Sequence, residues 1–230
     1  MAYYPVLIDL SGKEVLVVGG GQVAERKIDS LLEAGAAVKV VAEGLSRRLQ
    51  EYVDTGKITY LGPKFQENHL QSPLMVFSAT SDRHLNSFVS RCAREKGLLV
   101  NAVDQPSDCS FILPAVFRRG DLLICVSTSG RSPALARRIR EELERKFGRE
   151  YEIFLILMGV LRQDVLSRGL NQEQNRGIFY ELVNSPLLEC LAAGQWERAA
   201  SLIKDATGIE WSGEDILKIV RRAEDSEKEA

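Results

Sequence analysis

Histidine and cysteine are scarce in this 230-residue chain, and long apolar runs and a charge of one sign are missing from it. Only His69 and His84 occur, so a histidine-rich metal site is not expected. Cys92, Cys109, Cys125 and Cys190 are scattered with no CxxC pair, and no structural metal is expected from them either. A chain of this length folds without disulfide staples, so all four read as reduced thiols in a cytoplasm. The most apolar stretch, Ile153–Leu161, is far shorter than the roughly 18 residues of a membrane span, and no membrane is expected as partner. Residues 1–10 lack the basic region, apolar core and small-residue cleavage site of a signal peptide. The 30 Lys+Arg balance 32 Asp+Glu to a net charge of −2, which gives no reason to expect nucleic acid as partner. There is no internal repeat.

What the chain does contain is an alternation. Val15–Val18 is a short β-branched apolar run, the mark of a strand buried on both faces. Three glycines follow, then a helical pattern from Gln22 to Ala34 with Val23, Ile28, Leu31 and Leu32 as its apolar positions, ended by Gly35. Val38–Ala42, Ile58–Leu61, Leu74–Ala79, Leu98–Val103 and Leu122–Val126 read as further strands, with a helix at about Asp82–Lys96 closed by Gly97. Strands and helices at this spacing predict a parallel, doubly wound α/β sheet. Strand signals stop at Ser132. Ser132-Pro133 makes an N-cap and first turn, and Leu135, Ile139, Leu143 and Phe147 then recur every four residues up to Gly148. Helical segments follow at about Glu150–Arg168, Gln172–Val183, Pro186–Ala193 and Trp196–Ala206. The stretch from Glu210 to Ala230 carries four basic and seven acidic residues and reads as a short helix fading into disorder.

Gly19-Gly20-Gly21-Gln22-Val23-Ala24 fits G-x-G-x-x-A between a predicted strand and a predicted helix. Gly19 permits a tight turn, Gly21 lets backbone approach a pyrophosphate, and Ala24 keeps helix close to sheet. The helix start offers free N–H groups to negative charge. The pattern therefore predicts dinucleotide binding. An acid ending the second strand would hold the adenosine ribose and favour NAD over NADP. Glu43 follows that strand and reads either as this ligand or as an ordinary loop acid. Lys39, Arg47 and Arg48 keep a 2′-phosphate site open.

Three more segments are expected to converge at the C-terminal edge of the sheet. In Ala79-Thr80-Ser81-Asp82, Asp82 reads as a helix cap, and Thr80 as a polar turn residue or a nicotinamide-side contact. In Asn101-Ala102-Val103-Asp104, Asp104 stands at a strand exit, where either a catalytic carboxylate or plain turn chemistry would put it. Ser127-Thr128-Ser129-Gly130-Arg131-Ser132-Pro133 is a hydroxyl-rich loop opening a helix. Around it, Arg118, Arg119, Arg131, Arg137, Arg138 and Arg140 face Asp121 alone between residues 109 and 140. They form either a solvated helix face paired with Glu141, Glu142 and Glu144, or a cradle for a substrate bearing many carboxylates.

The segments GGGQVAERK (Gly19–Lys27), ATSDRHLN (Ala79–Asn86), NAVDQPSDCSFILPA (Asn101–Ala115) and STSGRSPALARRIR (Ser127–Arg140) together resemble, in order and spacing, the precorrin-2 dehydrogenase family. That family includes the N-terminal module of bifunctional siroheme synthases. The resemblance implies a Rossmann-type doubly wound parallel sheet over residues 1–113, a dimerisation segment over 114–148 and a small all-helical C-terminal domain over 149–230. It implies a cytoplasmic homodimer that oxidises precorrin-2 to sirohydrochlorin with NAD, hydride passing to the nicotinamide and a proton being lost. Asp104 matches the motif aspartate required for chemistry, as base or as orienting group. Gly19, Gly20, Gly21, Gln22 and Val23 would cradle the pyrophosphate, with Glu43 at the ribose and Thr80 on the nicotinamide side. Ser127, Thr128, Ser129 and Arg131 would receive substrate carboxylates, with Arg118 and Arg119 as weaker candidates. Methylation is expected to be performed elsewhere. Some relatives also insert ferrous iron, a step that Asp104 or His84 would assist. Two other classes stand beside this one. A non-catalytic NAD-sensing module would keep the glycine loop and dispense with the rest. A short-chain reductase would rely on a Tyr-x-x-x-Lys dyad, and no dyad of that function is expected.

Overall fold

The computed structural model describes residues 3–103 and 105–229, and the chain divides into two compact units, Met1–Leu113 and Pro114–Ala230. The first unit runs β1 (Glu14–Val18), α1 (Gln22–Glu33), β2 (Ala37–Val41), α2 (Arg47–Asp54), β3 (Thr59–Tyr60), β4 (Met75–Ser78), α3 (Arg83–Glu95) and β5 (Leu99–Ala102). The five strands form one sheet in the order β3-β2-β1-β4-β5, with every pairing parallel. The chain winds outward from β1 to β3 and then returns to β1's other side. That reversal opens a crevice between the carboxyl ends of β1 and β4, where ligands bind in such sheets.

The continuous apolar strands follow from burial on both faces. On one face Val15, Val17, Val38, Val40, Met75 and Phe77 pack with Ala24, Ile28 and Leu31 of α1 and with Leu49 of α2. On the other, Leu16, Val18, Val41, Val76 and Val100 pack with Val89, Cys92 and Ala93 of α3. Burial also pushes the Cys92 thiol above its ordinary pKa, so this cysteine acts as a small core hydrophobe. Residues 105–111 then fold back along β5. Ser110 N–H donates to the Val100 carbonyl at 2.8 Å, and the Cys109 Sγ stands 3.2 Å from both the N–H and the carbonyl of Ala102. The Ser110 amide and the Cys109 side chain satisfy outer backbone groups of an edge strand that would otherwise be open.

The second unit holds β6 (Ala115–Arg119), β7 (Leu122–Val126), α4 (Pro133–Lys146), α5 (Arg149–Ser167), α6 (Gln172–Asn184), α7 (Leu187–Ala192), α8 (Trp196–Thr207) and α9 (Gly213–Glu229). Leu122–Val126 is therefore not a strand of the parallel sheet. It pairs antiparallel with β6, from Ala115↔Val126 to Arg119↔Leu122, as a separate hairpin turning at Gly120-Asp121. A short apolar run carries no information about its partner strand, and two residues suffice to turn it back on the preceding segment. The acidic stretch after Glu210 also departs from expectation. It forms α9, whose Ile216 and Val220, one turn apart, are buried with Leu157 and Leu161 of α5 and Ile203 of α8. One apolar stripe outweighs the surrounding charge. A third departure is α2, for which no helix was expected. Only Leu49 of it is buried, and the start is set by Ser46, whose Oγ accepts from Leu49 N–H at 3.3 Å. Among the described residues, no helix is long and apolar enough to cross a membrane.

Candidate functional site

The crevice is built first by the turn from β1 to α1. Gly19 has φ +129°, and a Cβ there would stand 2.4 Å from the Ala79 carbonyl oxygen at the exit of β4. At Gly20 a Cβ would stand 2.1 Å from the Gly44 carbonyl oxygen in the loop leaving β2. Gly21 faces open space. The first two glycines thus let three pieces of backbone crowd together, while the third leaves the approach to the helix clear. Gly21 caps α1 without a side-chain hydrogen bond, and the first helical bond is Glu25 N–H to the Gly21 carbonyl at 3.0 Å. The amides of Gln22, Val23 and Ala24 consequently have no intrahelical acceptor, and they point at an anion-binding position. Gln22 and Val23 are exposed, whereas Ala24 is wholly buried against the sheet. Val23, expected on the apolar stripe, instead belongs to the rim of the turn.

Glu43 lies two residues past β2, exposed, in the loop that touches Gly20. The three cations that kept a 2′-phosphate site open are each held by a carboxylate. Lys39 Nζ is 2.5 Å from Glu14, Arg47 Nε is 3.1 Å from Glu51 and Arg48 Nη2 is 3.1 Å from Asp29. The Arg48 guanidinium, which also donates to Tyr52 Oη at 2.8 Å, is held above its ordinary pKa first by Tyr52 and then by Asp29.

At the β4 exit, Thr80 is part of a compact hydrogen-bonded turn. Its Oγ1 donates to Asn86 Oδ1 at 2.8 Å, Asn86 Nδ2 donates to the Thr80 carbonyl at 3.0 Å, and Ser78 Oγ donates to the same Asn86 Oδ1 at 2.7 Å. Asp82 caps α3 by accepting from the amides of His84 and Leu85. Asn86, buried at 2% exposure, is the centre of this turn and was not singled out by spacing. Its signal is polarity on a helix face that otherwise packs on the sheet. At the β5 exit Asn101 donates through Nδ2 to the Phe111 carbonyl at 3.1 Å and accepts from Lys27 Nζ at 3.3 Å. Asp104 lies outside the described residues.

The Ser127–Pro133 loop belongs to the second unit. Ser127 Oγ accepts from Ser129 N–H at 3.1 Å, Thr128 Oγ1 accepts from Ser132 N–H at 3.0 Å, and Ser132 caps α4. Ser129 has φ +53° and Gly130 φ +79°, which closes the turn. Arg137, Arg138 and Arg140 are paired with Glu141, Glu142 and Glu144 along α4, as a solvated helix face would be. Arg131 and Arg118 stand exposed, with no ion pair among the described residues. Arg119 is turned toward α4, donating to the Glu144 carbonyl at 3.5 Å and stacking 5.3 Å from the Phe117 ring centroid. In the hairpin register Arg118 and Arg119 lie beside the turn, while Ser127 leaves from the other end. A separation of four to five residues along the register, roughly 13–17 Å of strand, divides the two groups.

A Tyr-x-x-x-Lys spacing does occur once, from Tyr60 to Lys64. It starts on β3 and passes through Gly62 and Pro63 in irregular backbone, and Tyr60 Oη donates to the Ala42 carbonyl at 2.9 Å. A dyad at that spacing needs one turn of helix to bring its members together, and this segment has none. Among the described residues no cluster of three or more His, Cys, Asp or Glu side chains forms a metal site.

The strand order, the glycine turn and the open helix start define an NAD(P)-type dinucleotide-binding unit of Rossmann architecture. Comparison with known families agrees. Residues 6–115 match the family described as "Putative NAD(P)-binding", and residues 119–146 match the siroheme biosynthesis protein central family. These matches make the chain a homologue of siroheme synthases over its length, with a structural match to a precorrin-2 dehydrogenase. It is 36% identical over 219 residues to the siroheme synthase of Sodalis glossinidius, covering 94% of this chain and 46% of that protein. It is 39% identical over 206 residues to the siroheme synthase of Nitrosococcus oceani, covering 90% and 44% respectively. The chain thus spans a little under half the length of these curated relatives. It is also similar to the solved structure of SirC, a precorrin-2 dehydrogenase, with a TM-score of 0.76 and 28% identity over 90% of this chain and 100% of that one.

Proposed function

We propose that this chain is an NAD-dependent dehydrogenase that converts precorrin-2 to sirohydrochlorin in siroheme biosynthesis. One observation carries the reading. The turn that receives a pyrophosphate is shaped as a dinucleotide fold needs it, in a chain that matches a precorrin-2 dehydrogenase over that protein's whole length. NAD fits the residues present. The amides of Gln22 and Val23 face the pyrophosphate position beyond Gly19, Gly20 and Gly21, and Glu43 offers a carboxylate to the adenosine ribose. With Lys39, Arg47 and Arg48 each paired to an acid, no unpaired cation of that group is left for a 2′-phosphate, which favours NAD over NADP. When bound, the nicotinamide supplies the acceptor for one hydride.

The remaining roles are those of this chain's side chains. Thr80, held at the β4 exit by Asn86, presents a rigid edge on the nicotinamide side. Asp104 accepts the proton or orients a pyrrole N–H. Ser127, Thr128, Ser129 and Arg131 receive substrate carboxylates, with exposed Arg118 in a lesser role and Arg119 committed to α4. Holding ring carbon and cofactor in near-attack geometry supplies much of the acceleration. Residues 1–113 serve as the NAD-binding domain, 114–148 as the dimerisation segment and 149–230 as the helical domain of a cytoplasmic homodimer. A two-stranded hairpin is only marginally stable by itself. Here it carries exposed Val116 and Cys125 on its outer face and Leu135 on the helix beside it, which supports pairing with a second copy.

The test is anaerobic oxidation of enzymatically made precorrin-2 with NAD or with NADP. Sirohydrochlorin formation is expected with a kcat/KM at least about tenfold higher for NAD. Equal use of NADP would remove the Glu43 assignment, and no oxidation with either nucleotide would remove the dehydrogenase.

A further inference from the structure

The motif that carries the glycine turn continues into Glu25, a carboxylate in the first turn of the helix that receives the pyrophosphate. Such a group favours the helix dipole, yet it would repel the phosphates if it faced them. It is held away. Glu25 Oε2 accepts from Ser46 Oγ at 2.5 Å, in the loop between β2 and α2, 21 residues along the chain. Ser46 is a junction. Its N–H donates to the Gly20 carbonyl at 2.8 Å, and its Oγ also accepts from Leu49 N–H, the cap of α2. Next to it Arg48 and Tyr52 both reach Asp29, one turn along α1 from Glu25.

The loop that Ser46 ends is the one carrying Glu43. Its other end is fixed at Ala42, whose N–H donates to the Gly62 carbonyl at 3.2 Å and whose carbonyl accepts from Tyr60 Oη. Between these anchors stand Glu43, Gly44 and Leu45, with the Gly44 carbonyl filling the space a Cβ at Gly20 would need. Glu25–Ser46 is the side-chain tie between the helix start and this loop, so it sets where Glu43 stands relative to the phosphate turn.

We infer that Glu25 and Ser46 form a latch that positions the Glu43 loop over the glycine turn, and that it governs NAD affinity and the preference for NAD over NADP without touching the nucleotide. Glu25 and Ser46 are positioning residues, and the inference rests on the NAD-binding reading above.

The experiment measures Kd for NAD and NADP by titration calorimetry on the full chain, with thermal melting of each unliganded variant. Glu25→Ala and Ser46→Ala are each expected to weaken NAD by about three- to tenfold, the worth of one hydrogen bond. The NAD/NADP ratio should fall with them. Because one tie is being broken, the double variant should be no weaker than either single one. Glu25→Gln keeps an acceptor for Ser46 Oγ and should stay within about twofold of wild type. Variants that melt lower yet bind NAD as wild type does would overturn the latch and leave a purely structural bond, and additive losses would overturn it as well. Wild-type protein that binds neither nucleotide would overturn the NAD reading itself, and the latch with it.

Discussion

Replacing Gly19 by alanine is expected to destabilise the chain by about 2–6 kcal/mol and to abolish NAD binding. Two physical effects add. A φ of +129° lies where a side-chain-bearing residue is strained, at about 1–3 kcal/mol. The new Cβ would also stand 2.4 Å from the backbone oxygen of Ala79, which is fixed in the sheet by the Ala79 N–H bond to the Val18 carbonyl. Overpacking against a site that cannot yield is worth about 1–3 kcal/mol more. Gly21→Ala is the instructive contrast. A Cβ there meets open space, with φ −88° at the N-cap, so the loss of stability is expected to be about 1 kcal/mol or less. Its methyl would nevertheless occupy the approach to the amides of Gln22 and Val23, and NAD affinity should fall. Urea unfolding of the unliganded proteins with NAD titration separates the two. A Gly19→Ala variant with the wild-type midpoint would show that the turn is not fixed as described.

Asp104→Asn is expected to lower turnover by about 10²–10⁴-fold, the usual worth of a positioned general base, while NAD affinity stays within twofold. β5, which pairs with β4, ends at Ala102, two residues before Asp104 in the sequence. If it accepts the proton, kcat/KM for the wild type rises with pH through the ionisation of a carboxyl, and the Asn variant loses that limb. If it only orients a pyrrole N–H, asparagine keeps an acceptor, and the loss is small and independent of pH. Unchanged turnover would take Asp104 out of the mechanism.

The parallel sheet was legible because its strands are buried on both faces, so Val15–Val18 and Leu74–Phe77 read as unbroken apolar runs without help from their neighbours. Leu122–Val126 looked the same and was not, since pairing partners are chosen by the turn at Gly120-Asp121 and not by the run itself. The helix over residues 47–54 was silent because Leu49 is its only fully buried residue, with Tyr52 and Val53 packing on the core in part. Within the site, the tight turn at Gly19 follows from local geometry and could be read. The role of Gly20 depends on the carbonyl of Gly44, and the Glu25–Ser46 tie joins residues 21 apart. Neither leaves a local signal. The basic stretch after Cys109 left two readings open. Its helical arginines are spent on i,i+4 partners, each worth only about 0.3–0.5 kcal/mol, and Arg131 and Arg118 remain as exposed charges.

The most direct measurement is a single-turnover reaction without oxygen, in which enzyme in excess over precorrin-2 is mixed with NAD and both products are followed by absorbance. One NADH should appear for each sirohydrochlorin, with a single rate constant shared by the two signals. Sirohydrochlorin appearing without NADH, or neither appearing from folded protein that binds NAD, would contradict a dehydrogenase and leave a nucleotide-sensing module as the better description.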